Sequence, residues 1–118
     1  MKINILIVLS ISFLIGGCAT SKPPMYDYGN YSESFYAMKR NPGEKSEGEW
    51  KSSLESIIER SNASAIRVPP GVFANLGYLY LKVNDTENAI KNFELEKNLY
   101  PEAEVFMNNL IKKAETQG

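Results

Sequence analysis

The apolar side chains between Tyr28 and the C-terminus recur every three or four residues, which is the spacing of one face of an α-helix. A half-buried β-strand would instead alternate apolar and polar positions, and this alternation is not sustained in that part of the sequence. The hydrophobic pattern therefore predicts an all-α fold.

The first predicted helix carries a stripe of large side chains, namely Tyr28, Tyr31, Phe35 and Met38. We expect it to end before Pro42, because proline cannot continue helical hydrogen bonding. The aromatic rings of this stripe could also form a platform that stacks on sugars or peptides, but the helical spacing favours a core face. Tyr26 and Tyr36 fall off the stripe and are the better candidates for exposed contacts.

A second helix is predicted from Ser46 and Glu49, whose spacing is that of a capping box. Its apolar side consists of Trp50, Leu54, Ile57 and Ile58. Small polar residues at 61–65 are expected to end this helix. The VPPG run at residues 68–71 then predicts a stiff turn that leads into the next helix.

The N-terminal segment has a different character, since Lys2 precedes an almost continuous apolar run over residues 3–15. This run is shorter than the roughly 20 apolar residues that a membrane-spanning helix needs, and its pattern is typical of an export signal. The small, polar and proline-ended segment that follows resembles a tether. We therefore expect a signal peptide at 1–17, a tether at 18–26 and one helical domain at 27–118.

The segment that ends in Cys18 resembles the lipobox of bacterial lipoproteins, since it reads Leu14, Ile15, Gly16, Gly17, Cys18. The resemblance implies that Cys18 becomes the first mature residue and takes acyl chains on its nucleophilic thiol. Ala19 follows, which the same resemblance associates with sorting to the outer membrane, at its periplasmic face. The alternative is a lone cysteine buried in an apolar helix.

Residues 70–101 resemble one tetratricopeptide repeat, a pair of antiparallel helices about 34 residues long. The matching positions, which form the predicted repeat core, are Phe73, Leu76, Gly77, Tyr80, Ala89, Phe93 and Pro101. Gly77 and Ala89 are small enough for the two helices to approach, and the larger side chains fill the space around them. Glu96 departs from the pattern, because a small residue usually admits the following helix there.

A single repeat cannot bury its own apolar faces, so neighbouring helices must cover them. We expect the first two helices to act as a degenerate repeat and a last helix after Pro101 to act as a cap. The last helix carries the stripe Ala103, Phe106, Met107, Leu110, Ile111 and Ala114. The predicted architecture is thus a tetratricopeptide-like stack of about five antiparallel helices.

The resemblance to tetratricopeptide repeats also implies a binding groove, lined by first-helix residues that face away from the core. The residues at these positions are Asn75, Tyr78, Leu79 and Lys82. Leu79 is also a candidate core residue. We therefore expect a protein partner to contact this set of side chains.

A longer pattern joins the VPPG run to LGYLY at residues 76–80, FELEK at residues 93–97 and Pro101. This pattern resembles a family of small lipoproteins of unknown function. Members of that family are typically encoded beside a lipoprotein similar to the curli secretion pore. The resemblance implies an envelope assembly partner of that kind, and it carries no catalytic residue to this chain.

Charge and composition exclude several classes of function. The formal net charge is −1 and acidic and basic residues are interleaved, whereas a nucleic-acid-binding protein normally shows a basic face. The sequence has no histidine and its one cysteine is assigned to lipidation, so we expect neither a metal site nor a cofactor. The acidic pairs Glu94 with Glu96 and Glu102 with Glu104 diverge on a helix.

Two functional hypotheses follow from these observations. The first is a membrane-tethered adaptor, or an accessory subunit of an envelope assembly, that holds a protein partner in its groove and is not an enzyme. The alternative is a small envelope enzyme or glycan-binding module, with the tyrosine-rich first helix as platform and Glu33 as acid. The missing second carboxylate across a cleft argues against the alternative.

Overall fold

The computed structural model describes residues 21–117 and shows five α-helices. They are α1 (Tyr31–Arg40), α2 (Glu44–Ala63), α3 (Val72–Lys82), α4 (Thr86–Leu99) and α5 (Glu104–Gln117), with a short 3₁₀ helix (Pro101–Ala103) before α5. Over these residues there is no strand, which confirms the all-α prediction. The predicted signal peptide and Cys18 lie outside the described residues.

The helices form a stack in which each packs against the next along the chain. An ion pair and a hydrogen bond, each of which joins the end of one helix to the start of its neighbour, show that neighbouring helices run antiparallel. Lys82 at the end of α3 pairs with Glu47 at the start of α2, and Glu96 near the end of α4 bonds to the start of α3. No helix within residues 21–117 is both long and apolar enough to cross a membrane.

The core consists of two apolar clusters that meet at the half-buried Tyr80. The first joins α2 to α3, with Trp50, Leu54 and Ile57 from α2 against residues 68–79. The second joins α3, α4 and α5 and contains Leu81, Ala89, Phe93, Met107 and Ala114. Tyr31, Phe35 and Met38 of α1 pack on the first cluster from outside, as partly buried residues.

Helix α2 is longer at both ends than the sequence pattern predicts. Its N-cap is Gly43, and Ser46 lies inside the helix, where its hydroxyl donates to the carbonyl oxygens of Asn41 at 2.7 Å and Gly43 at 3.0 Å. The capping-box prediction is therefore wrong. At the other end the helix runs on through the small residues to Ala63, because Ser61 is fully buried against the stack and tertiary packing outweighs weak helix propensity.

The VPPG turn is held by the side chains of Glu96, in α4, and Tyr100, which directly follows α4. Gly71 is the N-cap of α3 with a φ of 87°, a conformation that glycine adopts without steric cost. The buried Glu96 carboxylate accepts from the backbone N–H of Gly71 at 2.6 Å and from that of Ala74 at 3.2 Å. The Tyr100 hydroxyl donates to the carbonyl oxygen of Val68 at 2.6 Å. Glu96, which departs from the tetratricopeptide pattern, therefore caps α3.

Helix α5 docks on α4 despite the bulk of Glu96, through the buried Met107 and Ala114. The predicted stripe is partly wrong, because Phe106 is 62% exposed. The 3₁₀ helix Pro101–Ala103 leads into α5, in which Met107 is buried whereas the adjacent Phe106 faces mainly solvent. Pro101 itself is exposed and contributes by opening this turn, not by filling the repeat core.

The segment before α1 is attached to the end of the stack. The Asp27 carboxylate accepts from Arg60 Nε at 2.8 Å and from the Gly29 N–H at 2.9 Å. Burial, followed by the interaction with the nearby Tyr26, raises the pKa of Tyr100. The chain that arrives from the predicted tether is therefore held beside the ends of α2 and α4.

Candidate partner-binding groove

A groove of about 460 Å³ lies between α1, α2 and one face of α3. It contains all four predicted contact residues of α3, namely Asn75, Tyr78, Leu79 and Lys82. The side chains from the first two helices are Phe35, Met38, Lys39, Pro42, Glu47 and Trp50. The structure thus brings the predicted set together and adds an opposite wall to it.

The floor of the groove is apolar and well packed. Leu79 is only 8% exposed and Trp50 is 2% exposed, so both belong to the core and present only an edge to the groove. The Trp50 ring makes a tilted contact with Phe35, with ring centroids 5.3 Å apart, and an edge-to-face contact with Tyr31, with centroids 4.7 Å apart. These contacts fix the shape of the floor before any ligand arrives, which lowers the ordering cost of binding.

The rim of the groove is polar and carries an excess of positive charge. The Lys82 ammonium forms an ion pair with the Glu47 carboxylate across the groove wall. Lys39 lies over the Phe35 ring, with its Nζ 5.4 Å from the ring centroid. Two lysines therefore accompany one glutamate, and a complementary ligand would present a carboxylate beside an apolar side chain.

Asn75 is held rigidly at the inner end of the groove. Its Nδ2 donates to the Tyr31 hydroxyl at 3.0 Å and to the carbonyl oxygen of Gly71 at 2.8 Å. Both donors of this amide are thereby used, which leaves the side-chain carbonyl oxygen to accept a bond from a ligand. Burial, as the largest cause, raises the pKa of Tyr31, so its hydroxyl is protonated at neutral pH.

Tyr78 is the most accessible of the predicted contact residues. Tyr78 is 53% exposed, whereas the neighbouring Leu76 and Gly77 lie on the buried face of α3. The repeat-core residues lie on the other side of that helix, where Phe93 of α4 fills the space beside Gly77. The helix therefore separates a packed face from a face that is free to meet a ligand.

The contribution of α1 and α2 to the groove was missed by sequence reasoning. The spacing of Phe35, Met38 and Trp50 favoured core positions, and this spacing along the chain is the same for core and groove residues. Only the crossing of α1 over α2 leaves part of these side chains facing α3. The one available signal was the excess of large aromatic residues on a helix as short as α1.

Glu33, the acid of the alternative hypothesis, lies elsewhere. It lines a wide hollow of about 730 Å³ between α1 and α2, together with Glu49 and several serines. Tyr36 is 63% exposed, but Tyr26 is half-buried, so the expectation of an exposed Tyr26 is wrong. In the described part of the chain, no three histidine, cysteine or acidic side chains lie close enough together to hold a metal ion.

Comparison with known proteins identifies the family and leaves its function open. The family model described as "Domain of unknown function (DUF4810)" matches residues 25–110, a range that contains every residue that lines the groove and most of the helical stack. No curated protein and no solved structure gives a match to this chain. The chain thus belongs to the DUF4810 family of domains of unknown function.

Proposed function

We propose that this protein is an outer-membrane lipoprotein of the periplasmic face that acts as a protein-interaction adaptor or accessory subunit of an envelope assembly. The observation that carries the proposal is the groove between α1, α2 and α3, where an apolar floor is joined to a polar rim. Acyl chains on Cys18 would hold the domain at the membrane, and the groove would hold the partner. The partner is an envelope protein, with a lipoprotein similar to the curli secretion pore as the first candidate.

The chemistry of the groove favours a peptide segment as its occupant. An exposed tyrosine above a rigid apolar floor is the kind of contact that dominates the free energy of many protein interfaces. Asn75 offers an acceptor for a backbone N–H, and the rim lysines attract a carboxylate. An apolar side chain next to an acidic one is therefore the expected sequence of the bound segment.

Site-specific crosslinking in cells tests the adaptor proposal. A photoreactive side chain at position 78 should trap an envelope protein, and Tyr78→Ala should reduce co-purification of that protein by roughly tenfold or more, as expected for an interface hot spot. Tyr36→Ala is the matched control, because Tyr36 is 63% exposed and lies outside the groove. Equal loss in both variants, or no specific crosslink from position 78, would contradict the proposal.

A charge swap separates binding from folding at Lys82. Lys82→Glu alone places two acidic groups side by side, whereas Lys82→Glu with Glu47→Lys restores the ion pair in reversed orientation. The free energy of unfolding should return to the wild-type value in the double variant, because the ion pair is restored. The size of this recovery should be small, since an exposed ion pair contributes at most about 1 kcal/mol. If Lys82 contacts the partner, binding stays impaired in the double variant; full recovery of binding would assign Lys82 a structural role only.

Lipidation has a separate test. Cys18→Ser should accumulate as an unprocessed precursor or a soluble form, because serine cannot accept the thioether-linked diacylglyceryl group. Labelled palmitate should enter the wild-type protein and not the variant. Absence of label in the wild-type protein would remove the membrane anchor from the proposal while leaving the groove intact.

A further inference from the structure

Three apolar side chains near one end of the stack are exposed and unused by the groove. Met25 is 77% exposed, Val105 is 76% exposed and Phe106 is 62% exposed. Val105 and Phe106 occupy the first turn of α5, and Met25 lies in the segment that leads to α1. We refer to these three residues as the α5 corner.

The members of the α5 corner lie at the same end of the molecule. Asp27, two residues after Met25, accepts a hydrogen bond from Arg60 near the end of α2, and the Tyr100 hydroxyl donates to Val68 in the turn that follows that helix. Tyr100 directly precedes the 3₁₀ helix, and the rise of that helix and of the first turn of α5 separates it from Val105 by roughly 9 Å. The corner is therefore close to the point where the N-terminal segment joins the folded domain.

The length of the tether places this corner near the membrane. Under the proposed lipidation, Cys18 lies eight residues before Tyr26. A chain of that length spans at most about 29 Å when fully extended, and roughly 16 Å as a flexible coil. The bilayer that holds the acyl chains is therefore within reach of Met25, Val105 and Phe106 together.

The charges around the corner indicate which lipid surface fits it. The guanidinium carbon Cζ of Arg67 lies 5.7 Å from the centroid of the Tyr100 ring, and Lys22 belongs to the adjacent tether segment. The exposed Glu102 and Glu104 balance these two cations. A surface without net charge has no electrostatic reason to prefer anionic lipids, so apolar contact with a zwitterionic headgroup layer is the favoured interaction.

We propose that the α5 corner rests on the membrane, with Phe106 and Val105 inserted among zwitterionic phospholipid headgroups. This inference rests on the proposed lipidation of Cys18. The acyl chains supply the attachment, and the corner sets the orientation, since aromatic and apolar side chains are favourable at the headgroup level.

The proposed orientation determines which way the groove faces. Pro42 follows the end of α1, Glu47 lies at the start of α2 and Lys82 ends α3, so all three lie at the opposite end of the stack from the corner; the rise of α3 separates Val72 from Lys82 by roughly 15 Å. With the corner on the bilayer, the Lys82 end of the groove faces away from the lipid. A membrane-resting corner therefore presents the groove to proteins in the periplasm.

Fluorescence quenching in vesicles tests the orientation. Acylated full-length Phe106→Trp is reconstituted in zwitterionic phosphatidylcholine vesicles with or without brominated lipid, and Val83→Trp serves as the matched control. Val83 is 68% exposed and lies at the far end of α3. The buried Trp50 is common to both proteins, so the difference between them reports the new residue. Brominated lipid should lower the emission of the tryptophan at position 106 by roughly half and leave that at position 83 unchanged.

The outcomes distinguish this inference from the proposed function. Equal quenching at the two positions, or none at either in protein that sediments with the vesicles, would overturn the orientation while the anchor stands. Protein that carries no acyl group and stays in the supernatant would overturn the anchor and the orientation together. A crosslink in cells from position 106 to a protein, in place of lipid, would also refute the membrane contact. Binding of a partner in the groove through Tyr78 would be unaffected by any of these results.

Discussion

At the scale of single residues, Glu96 shows how one buried charge can organise a turn. Glu96 is 3% exposed, and its carboxylate accepts hydrogen bonds from the backbone N–H groups of Gly71 and Ala74, which have no partner within α3 itself. A negative charge at a helix N-terminus also interacts favourably with the helix dipole. A bulky acid at a position usually occupied by a small residue is therefore explained by capping in trans, from a neighbouring helix.

Replacing Glu96 should weaken the fold at this turn. Glu96→Gln removes one acceptor oxygen and directs an amide donor at backbone N–H groups, so the free energy of unfolding should fall by about 1–3 kcal/mol. Urea denaturation followed by circular dichroism measures the change. Glu59→Gln, at an exposed position of α2, is the control and should alter stability little. Equal effects of the two substitutions would show that the two hydrogen bonds contribute no net stability.

At the scale of helices, α3 and α4 approach each other closely at Gly77. A side-chain carbon added at Gly77 would lie 2.6 Å from Phe93 Cε1 and 3.0 Å from the carbonyl oxygen of Ala89. The Phe93 ring is fully buried and cannot give way easily. Gly77 therefore sets the distance between the two helices that the tetratricopeptide-like pattern predicts to be in contact.

Two glycine substitutions should have opposite effects on stability. Gly77→Ala should lower the free energy of unfolding by about 1–2 kcal/mol, because overpacking outweighs the better helix propensity of alanine. Gly48→Ala in α2 has no heavy atom within 4 Å of the added carbon, so it should raise that free energy by about 0.5–1 kcal/mol. Thermal and urea unfolding of both variants check the pair, and a stabilised Gly77→Ala protein would refute the close contact.

At the scale of the whole molecule, the N-terminal segment joins the predicted tether to the stack. The hydrogen bond from Arg60, followed by that from the Gly29 N–H, lowers the pKa of Asp27 below its usual value. A carboxyl group with a depressed pKa in the folded state stabilises that state above its unfolded pKa and loses this effect as the pH falls through the folded value. The attachment of the segment should therefore persist at neutral pH and loosen in acid.

An NMR titration can follow this attachment directly. The Gly29 amide, which donates to Asp27, should shift with a midpoint below the ordinary aspartate pKa of about 3.9. In Arg60→Gln the midpoint should move up toward the ordinary value, because the principal cause of the lowered pKa is removed. The amide of Asn88, which donates to Asp85 at the start of α4, serves as an internal control and should titrate alike in both proteins. An unchanged Gly29 midpoint would contradict the assigned role of Arg60.

Local patterns in the sequence determined the helices, because the period of apolar positions and the prolines and glycines between them act over a few residues only. They also sufficed to predict that Asn75, Tyr78 and Lys82 lie together on one face of α3, which lines the groove. The start of α2 and the exposure of Phe106 could not be obtained in this way. Both depend on small differences that packing against the rest of the stack decides.

Only the tertiary structure decided how distant segments combine. The part of the groove opposite α3 includes Phe35 and Trp50. The spacing of these residues predicts core positions, and only the packing of α1 and α2 against α3 makes them line the groove. The contact of Glu96 with the Gly71 turn spans 25 residues, and no local preference specifies a bond of that length. Helical periodicity is a property of neighbours along the chain, whereas grooves and caps in trans depend on the angles and distances at which finished helices pack.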